Sequence, residues 1–270
     1  MNDYENEQLT LDDAITKYGE SWWEKVKIIY GLLPIKKVPN MDFVRVGNEN
    51  DGGYLMLDDF YVSDKVAYSF GISDDTTWDA DMANRGYEIY MYDHTIKMLP
   101  EERKEFHWKK KGMADSVDYD NEIFGTISDF IKENGHAAQN NMILKMDVEG
   151  AEWGGISITP TEVLNQFDQI LIEFHDMVSP DRVDQIIETL EHLNKTHQLV
   201  HIHANNYGWI RWIDGVPYCW TYEATYVNRN KYSFVDVDDI TLPNILDKPC
   251  SKEKMEICLG NWNERCGSYN

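Results

Sequence analysis

Short apolar runs alternate with stretches of helical periodicity from residue 65 onward, and this alternation is the strongest signal in the chain. Val66–Phe70 has the length and character of a buried strand. A helix is expected over Thr76–Arg85, stopped by Gly86, then strands over Tyr87–Tyr92 and Phe106–Lys111. Thr126–Asn134 reads as a helix ended by Gly135, and Met142–Met146 as a fourth strand. Thr159-Pro160 has the chemistry of a helix start and opens a helix to about Phe167; Ser179-Pro180 opens another to about Thr196. Gln169–Phe174 is the fifth strand, with Gln198–His203 and Tyr222–Asn228 following. Strands and helices alternating at this spacing predict an α/β fold, a mostly parallel sheet with helices on both faces.

The ends of the chain differ from this middle. Thr10 is placed to cap a helix through Asp12–Tyr18 with Gly19 as its stop. Ser21 and Glu24 have capping-box spacing ahead of Val26, Ile28, Ile29, Leu32 and Leu33, and Pro34 closes that segment. A loop with the unusual signature R-V-G-N-E-N-D-G-G-Y runs from Arg45 to Tyr54. The expected division is an N-terminal helical cap over 1–40, the main domain over 41–236, and an irregular C-terminal extension over 237–270 packed on it.

Composition narrows the function classes. A chain of 270 residues that is 42% hydrophobic suits one large domain with its own core. The 48 acidic against 25 basic residues give a net charge of −23, which repels nucleic acid and anionic membrane. The start, MNDYENEQLT, is polar, and no apolar run approaches the ~20 residues that span a bilayer, so a soluble cytoplasmic protein is expected. Cys219, Cys250, Cys258 and Cys266 form no CxxC pair and have no His close in sequence. That fits no zinc ribbon or finger well, and ordinary reduced thiols are expected, with a tail disulfide or metal clip as the lesser alternative.

In an open α/β sheet ligands bind beyond the carboxyl ends of the strands. After the first strand, Ser69-Phe-Gly71-Ile-Ser73-Asp-Asp75 offers a close-approach glycine and small donors beside a helix start. Asp74 and Asp75 would repel a pyrophosphate there and suit a ligand carrying an ammonium or sulfonium. Asp93 ends the second strand, where a carboxylate can accept both hydroxyls of a ribose. Asp115 lies in the loop where an adenine amine needs an acceptor. Asp147 follows a buried strand directly, with Glu149 and Glu152 behind it; core packing has no use for a carboxylate at that point. Glu173 and His175 alternate onto one side after the fifth strand, and the next strand brings His201, His203, Asn205 and Asn206.

These blocks resemble the FkbM-type family of S-adenosylmethionine-dependent methyltransferases, in its methyltransferase-like branch. The resemblance is carried by R-V-G-x-x-x-D-G-G-Y (Arg45–Tyr54), Y-S-F-G-I-S-D-D-x-x-W-D (Tyr68–Asp79), L-K-M-D-V-E-G-A-E-W (Leu144–Trp153), L-I-E-F-H (Leu171–His175) and H-A-N-N (His203–Asn206). The D-V-E-G-A-E block is the specific one; the others are modest. The resemblance implies a Rossmann-like methyltransferase fold, with transfer of a methyl group to a hydroxyl of a sugar or secondary metabolite. It implies that Ser69, Gly71 and Ser73 cradle the methionine part of the cofactor, that Asp93 holds the ribose, and that Asp115 sits near the adenine. Asp51 is then expected near the methionine end. Ser69 stands where the family's usual acidic residue is found, so Asp75 or Asp79 is left to take the cofactor's amino group.

The expected chemistry is in-line displacement at the sulfonium methyl, with Asp147, Glu173, His175 and His203 as candidate proton acceptors. By intrinsic pKa His175 is the better base; by position Asp147 is. In a second version Asp147, Glu173 and a His hold a divalent cation that acidifies the hydroxyl. The expected acceptor is a sugar or nucleotide sugar, its pyrophosphate meeting Arg211, Arg229 or Lys231, with Trp209, Trp212, Tyr218 and Trp220 available for stacking. Pairing with a second copy of the chain stays open. Two rivals remain on the same fold, an NAD-dependent sugar-modifying enzyme and a non-catalytic binding module. The absence of G-x-G-x-x-G speaks against the first.

Overall fold

The computed structural model describes residues 6–62 and 64–268; the first five residues of the expected cap and the last two of the expected extension lie outside it. Seven strands build the main sheet: β1 Val66–Phe70, β2 Glu88–Tyr92, β3 Phe106–Lys109, β4 Met142–Met146, β5 Phe167–Phe174, β6 His197–Ala204 and β7 Tyr222–Asn228. Their order across the sheet is β3-β2-β1-β4-β5-β7-β6. The pairings among β3, β2, β1, β4 and β5 are parallel, whereas β7 runs antiparallel to both β5 and β6. The sheet is therefore mixed where a mostly parallel one was expected. No helix crosses over between β6 and β7; a small hairpin (Ile210–Ile213 with Val216–Cys219) returns the chain at the same end, so β7 must run backwards.

Strand alternation sorts the core into two faces. On one, Tyr68, Phe70, Leu144, Met146, Ile170 and Ile172 pack against helices α2 Glu20–Gly31 (which follows α1 Leu11–Tyr18), α4 Ile127–Glu133, α5 Glu152–Ser157 and α7 Val183–Leu193 (which follows the short α6 Thr161–Leu164). On the other, Ala67, Ile89, Met91, Ile143 and Leu171 pack against helix α3 Thr77–Asn84 and a hairpin of Phe43–Gly47 with Gly53–Leu57. Trp22, Val26, Ile29 and Tyr30 of α2 belong to the same core as the sheet. Asn194 after α7 ties down the end of α2 by donating to the Leu32 carbonyl at 2.8 Å.

Local signals held where caps were present. Thr10 and Thr126 each form a full capping box, with Asp13 and Asp129 respectively. The Ser21–Glu24 box does not form, because α2 already begins at Glu20 directly behind Gly19. The helix expected from Thr159-Pro160 is a single turn, Thr161–Leu164, since β5 takes over at Phe167. Both hairpins and α5 went unforeseen; elements of four to six residues are too short to print a period. The tail carries a two-residue strand pair (Thr241–Leu242 with Gly260–Asn261) and a final helix, Trp262–Gly267.

The Phe43–Leu57 hairpin matters because its turn carries Asp51. It is fastened to the sheet by Gln169, fully buried on β5, whose side chain accepts from the Leu57 amide at 2.9 Å and donates to the Leu57 carbonyl at 3.0 Å. Gln169→Leu keeps the volume but strands both backbone groups. The expected cost is about 1–3 kcal/mol in urea unfolding; a change within about 0.3 kcal/mol would show that the hairpin is held otherwise.

Candidate active site

The strand order reverses between β1 and β4, so a crevice must open beyond their carboxyl ends. Phe70 and Met146 are register partners, which sets Gly71 and Asp147 side by side. The Asp147 amide donates to the Phe70 carbonyl at 2.9 Å, and Lys145 Nζ donates to the Gly71 carbonyl at 2.8 Å. Gly71 has φ +77, and a Cβ there would lie 1.6 Å from the Asp147 carbonyl oxygen, so only glycine fits. Three non-glycine residues around the crevice, Ser73, Glu149 and Asp176, hold φ of 50, 54 and 59. Such strain persists where the surroundings enforce it, and it gathers at functional sites.

Two cavities open here. The first, of about 520 Å³, runs past Gly71, Asp93, Met113, Ala114, Asp115, Tyr119, Phe124 and Asp147. The second, of about 850 Å³, is lined by Asp51, Asp75, Trp78, Lys145, Asp147, Glu173, His175, Asn205 and Trp220 among others. They meet at Ser73, Asp147 and Glu149. Asp93 and Asp147 thus share one cleft.

Within the first cavity Asp93 is fully engaged. Its Oδ2 accepts from the Ile72 and Ser73 amides, both at 2.9 Å, and its Oδ1 from the Thr95 amide and hydroxyl at 2.7 and 2.6 Å. Burial works against its charge, but these four bonds prevail and hold its pKa down at about 2. Asp93 is thereby the clasp that joins the loops after β1 and β2. Asp115 lies exposed at the far wall, where its carbonyl is packed so closely on Gly154 that a Cβ at 154 would stand 1.8 Å away.

The second cavity is acidic. Burial and the charges of Glu223 and Asp147 lift Asp51 to about 6. Asp75 accepts from Asn48 Nδ2 at 3.1 Å and from the Thr77 amide at 2.7 Å. Ser69 lines neither cavity; its hydroxyl is buried and faces Asp79, a buried residue of α3. Of the two acids left for the cofactor's amino group, Asp75 faces the cavity and Asp79 does not.

Glu173 is buried, and burial together with Asp147, Glu223 and Asp51 raises its pKa well above the usual range, with Asp147 its hydrogen-bond partner. Asn205 Nδ2 donates to it at 2.5 Å. His175 is held by Glu152, which is fully buried: Glu152 Oε1 accepts from the His175 amide at 2.6 Å and meets its Nδ1 at 3.3 Å. Burial opposes the imidazolium, yet Glu152, Asp147 and Glu149 outweigh it and bring the pKa to about 9. These acids favour the imidazolium form of His175, which makes it a charge partner for them as well as a candidate proton acceptor. His203 lines neither cavity; it is sealed between Glu223 (2.8 Å) and Glu256 (3.2 Å).

A family model for a methyltransferase domain matches residues 20–199. The chain belongs to that methyltransferase domain family. It is also 29% identical over 118 residues to the human and rat proteins named "Probable methyltransferase-like protein 24", an overlap of 40% of this chain and 32% of theirs. The chain thus spans about a third of the length of the curated relatives it matches.

In this methyltransferase domain the cations expected to meet a pyrophosphate are already taken. Arg211 is buried, bonded to Glu7, the Val178 carbonyl and the Tyr18 hydroxyl. Arg229 donates to the His197 carbonyl at the opposite end of the sheet, and Lys231 pairs with Asp59 and Asp168 there. Of the four aromatics, Trp220 lines the second cavity, while Tyr218 packs edge-on against Tyr30 and Trp23 in the seam with α2. Sequence reasoning gave no role to Lys145, Glu152 or Glu223. Their common signal is a charged residue on, or just past, an otherwise apolar strand.

His175 ties stability to pH. Its folded pKa of about 9 lies above the ordinary 6.5, so its contribution is full below about pH 6.5 and is lost as pH rises through about 9. The stability gap between wild type and His175→Gln, from urea unfolding, is expected to shrink between about pH 6 and about pH 9.5. A gap that stays constant would mean the histidine is held neutral.

Proposed function

We propose that this domain transfers the methyl group of S-adenosylmethionine to a hydroxyl of a small molecule that is uncharged or carries an amine, a sugar being the class that fits best. The reading is carried by one observation: a nucleoside-sized cavity and an acidic cavity meet at Asp147. Met113, Tyr119 and Phe124 offer walls for an adenine, and Asp115 offers an acceptor for its amine. A ribose hydroxyl would take the place of the Thr95 hydroxyl on Asp93. Asp51 and Asp75 would face the cofactor's ammonium and sulfonium. A nucleotide sugar is a poorer fit than a free one, because Arg211, Arg229 and Lys231 are engaged away from the cleft.

S-adenosylmethionine, when bound, would supply an electrophilic sulfonium methyl where the two cavities meet, with Asp51 and Asp75 facing its charge. The hydroxyl proton passes to Asp147. Glu173, its pKa pushed up by burial and by the acids around it, shares a hydrogen bond with Asp147 and helps position it. His175 steadies the negative charge gathered at the β4 and β5 ends. Alignment can supply up to ~7–11 kcal/mol and a positioned base ~10²–10⁴-fold.

The test is methyl transfer from labelled S-adenosylmethionine to a panel of neutral sugars, amino sugars and nucleotide sugars. Asp147→Asn is expected to lower turnover by at least ~100-fold on whichever acceptor is methylated. An unchanged rate would remove Asp147 from the chemistry. A rise in melting temperature with NAD and none with S-adenosylmethionine would overturn the whole reading.

A further inference from the structure

Cys250 has no histidine near it in sequence, yet the fold brings one to it. Register places Glu173 opposite Glu223, and Glu223 opposite His203, so three neighbouring strands carry these side chains in one row. Tail residue Cys250 then comes down on the row, its Sγ 3.5 Å from Glu223 Oε1, while Glu223 Oε2 meets His203 Nδ1 at 2.8 Å. Ligand atoms of His203, Glu223 and Cys250 all lie within 4.8 Å of one another, and all three residues are at least nine-tenths buried. We propose that His203, Glu223 and Cys250 form a zinc site that clips the C-terminal tail to the lip of the sheet.

Four observations support it. An imidazole, a carboxylate and a thiol are the donors zinc takes in four-coordinate sites. Glu256 lies 3.2 Å from His203 Nε2, the outer carboxylate partner that typically orients a metal-bound imidazole. Glu173 lies directly opposite Glu223 in the same buried row, so a further carboxylate stands next to the three ligands. The Tyr54 hydroxyl, buried and without a hydrogen-bond partner, feels the charges of Asp147, Glu173, Glu223 and Asp51, so polar capacity is left unused beside the row.

Binding balances in charge. One Zn²⁺ enters while the Nδ1 proton of His203 and the thiol proton of Cys250 leave, and no oxidant or reductant is needed. Three protein ligands leave a fourth position; Glu173 and Asp51 are the other carboxylates whose charges act on the Cys250 thiol. The other convergent set, Asp147, Glu149 and His175, opens into the second cavity and has no sulfur donor.

The full chain, stripped with chelator under reducing conditions and titrated with Co²⁺, is expected to take up one equivalent and to show thiolate-to-cobalt charge-transfer absorption. Cys250→Ser is expected to lose that band, and Cys258→Ser, an exposed thiol, to keep it. Zn²⁺ should raise the melting temperature of wild type by about 5 °C or more, and of Cys250→Ser hardly at all. Folding of each variant is checked by circular dichroism, and the wild-type titration decides even if Cys250→Ser does not fold. A folded wild type with no thiolate band, or a band that survives in Cys250→Ser, overturns the proposal. None of these readouts depends on methyl transfer.

Discussion

The contact between the backbones of Gly71 and Asp147 governs the rest of the site. With a Cβ at 71 only 1.6 Å from the Asp147 carbonyl oxygen, β1 and β4 could not end side by side. Their closeness lets the Asp147 amide bond to Phe70 and Lys145 reach the Gly71 carbonyl. It also lets the loop after β1 swing over to Asp93, whose four hydrogen bonds fix its course. The neck between the two cavities is the space this contact leaves open. Because the strand order reverses at this point, helices diverge on either side and the crevice cannot be closed by packing.

The second constraint is electrostatic. Burial and the charges of Glu223 and Asp147 raise both Asp51 and Glu173, and Glu152 close by is fully buried. Isolated buried carboxylates are costly, so each must find a proton, a cation or a set of amides. Asp93 takes amides. Glu152 takes the Gly150 amide and the His175 amide and ring, and Glu223 takes His203. Burial and its acidic neighbours push Glu173 up. The two histidines first considered as bases are charge partners of these acids, which raise both of their pKa values and favour the imidazolium.

How far this was legible in the residues can be argued element by element. β1 and β4 were read to the residue, because uniform burial makes a mostly apolar run with sharp ends, and the bounds of β7 were read correctly too. The direction of β7 was not readable, since direction depends on the connection and the hairpin at 210–219 is too short to register as a pattern. Asp51, Gly71, Asp75, Asp93, Asp115 and Asp147 stood out as polar residues at strand ends or turns, and the fold gathers them around the two cavities. Ser69 misled because position along the strand was read without facing: it sits one residue too early and points into the hairpin-covered side. Glu223 was invisible for a related reason. Its importance comes from lying opposite Glu173 and His203, a fact of register between strands far apart in the chain.

On the proposed reading, the acidity of the second cavity also bears on turnover. The methyl donor enters with a positive sulfur, and Asp51, Asp75 and Asp147 favour that charge in a partly desolvated space. Transfer converts the sulfonium to a neutral thioether and delivers a proton to Asp147. Both events remove attraction at the same moment: the spent cofactor has lost its charge, and the carboxylate that faced it has been neutralised. A surface that binds the charged form more tightly than the product thus helps the product leave, which a site built on hydrophobic contact alone would not do.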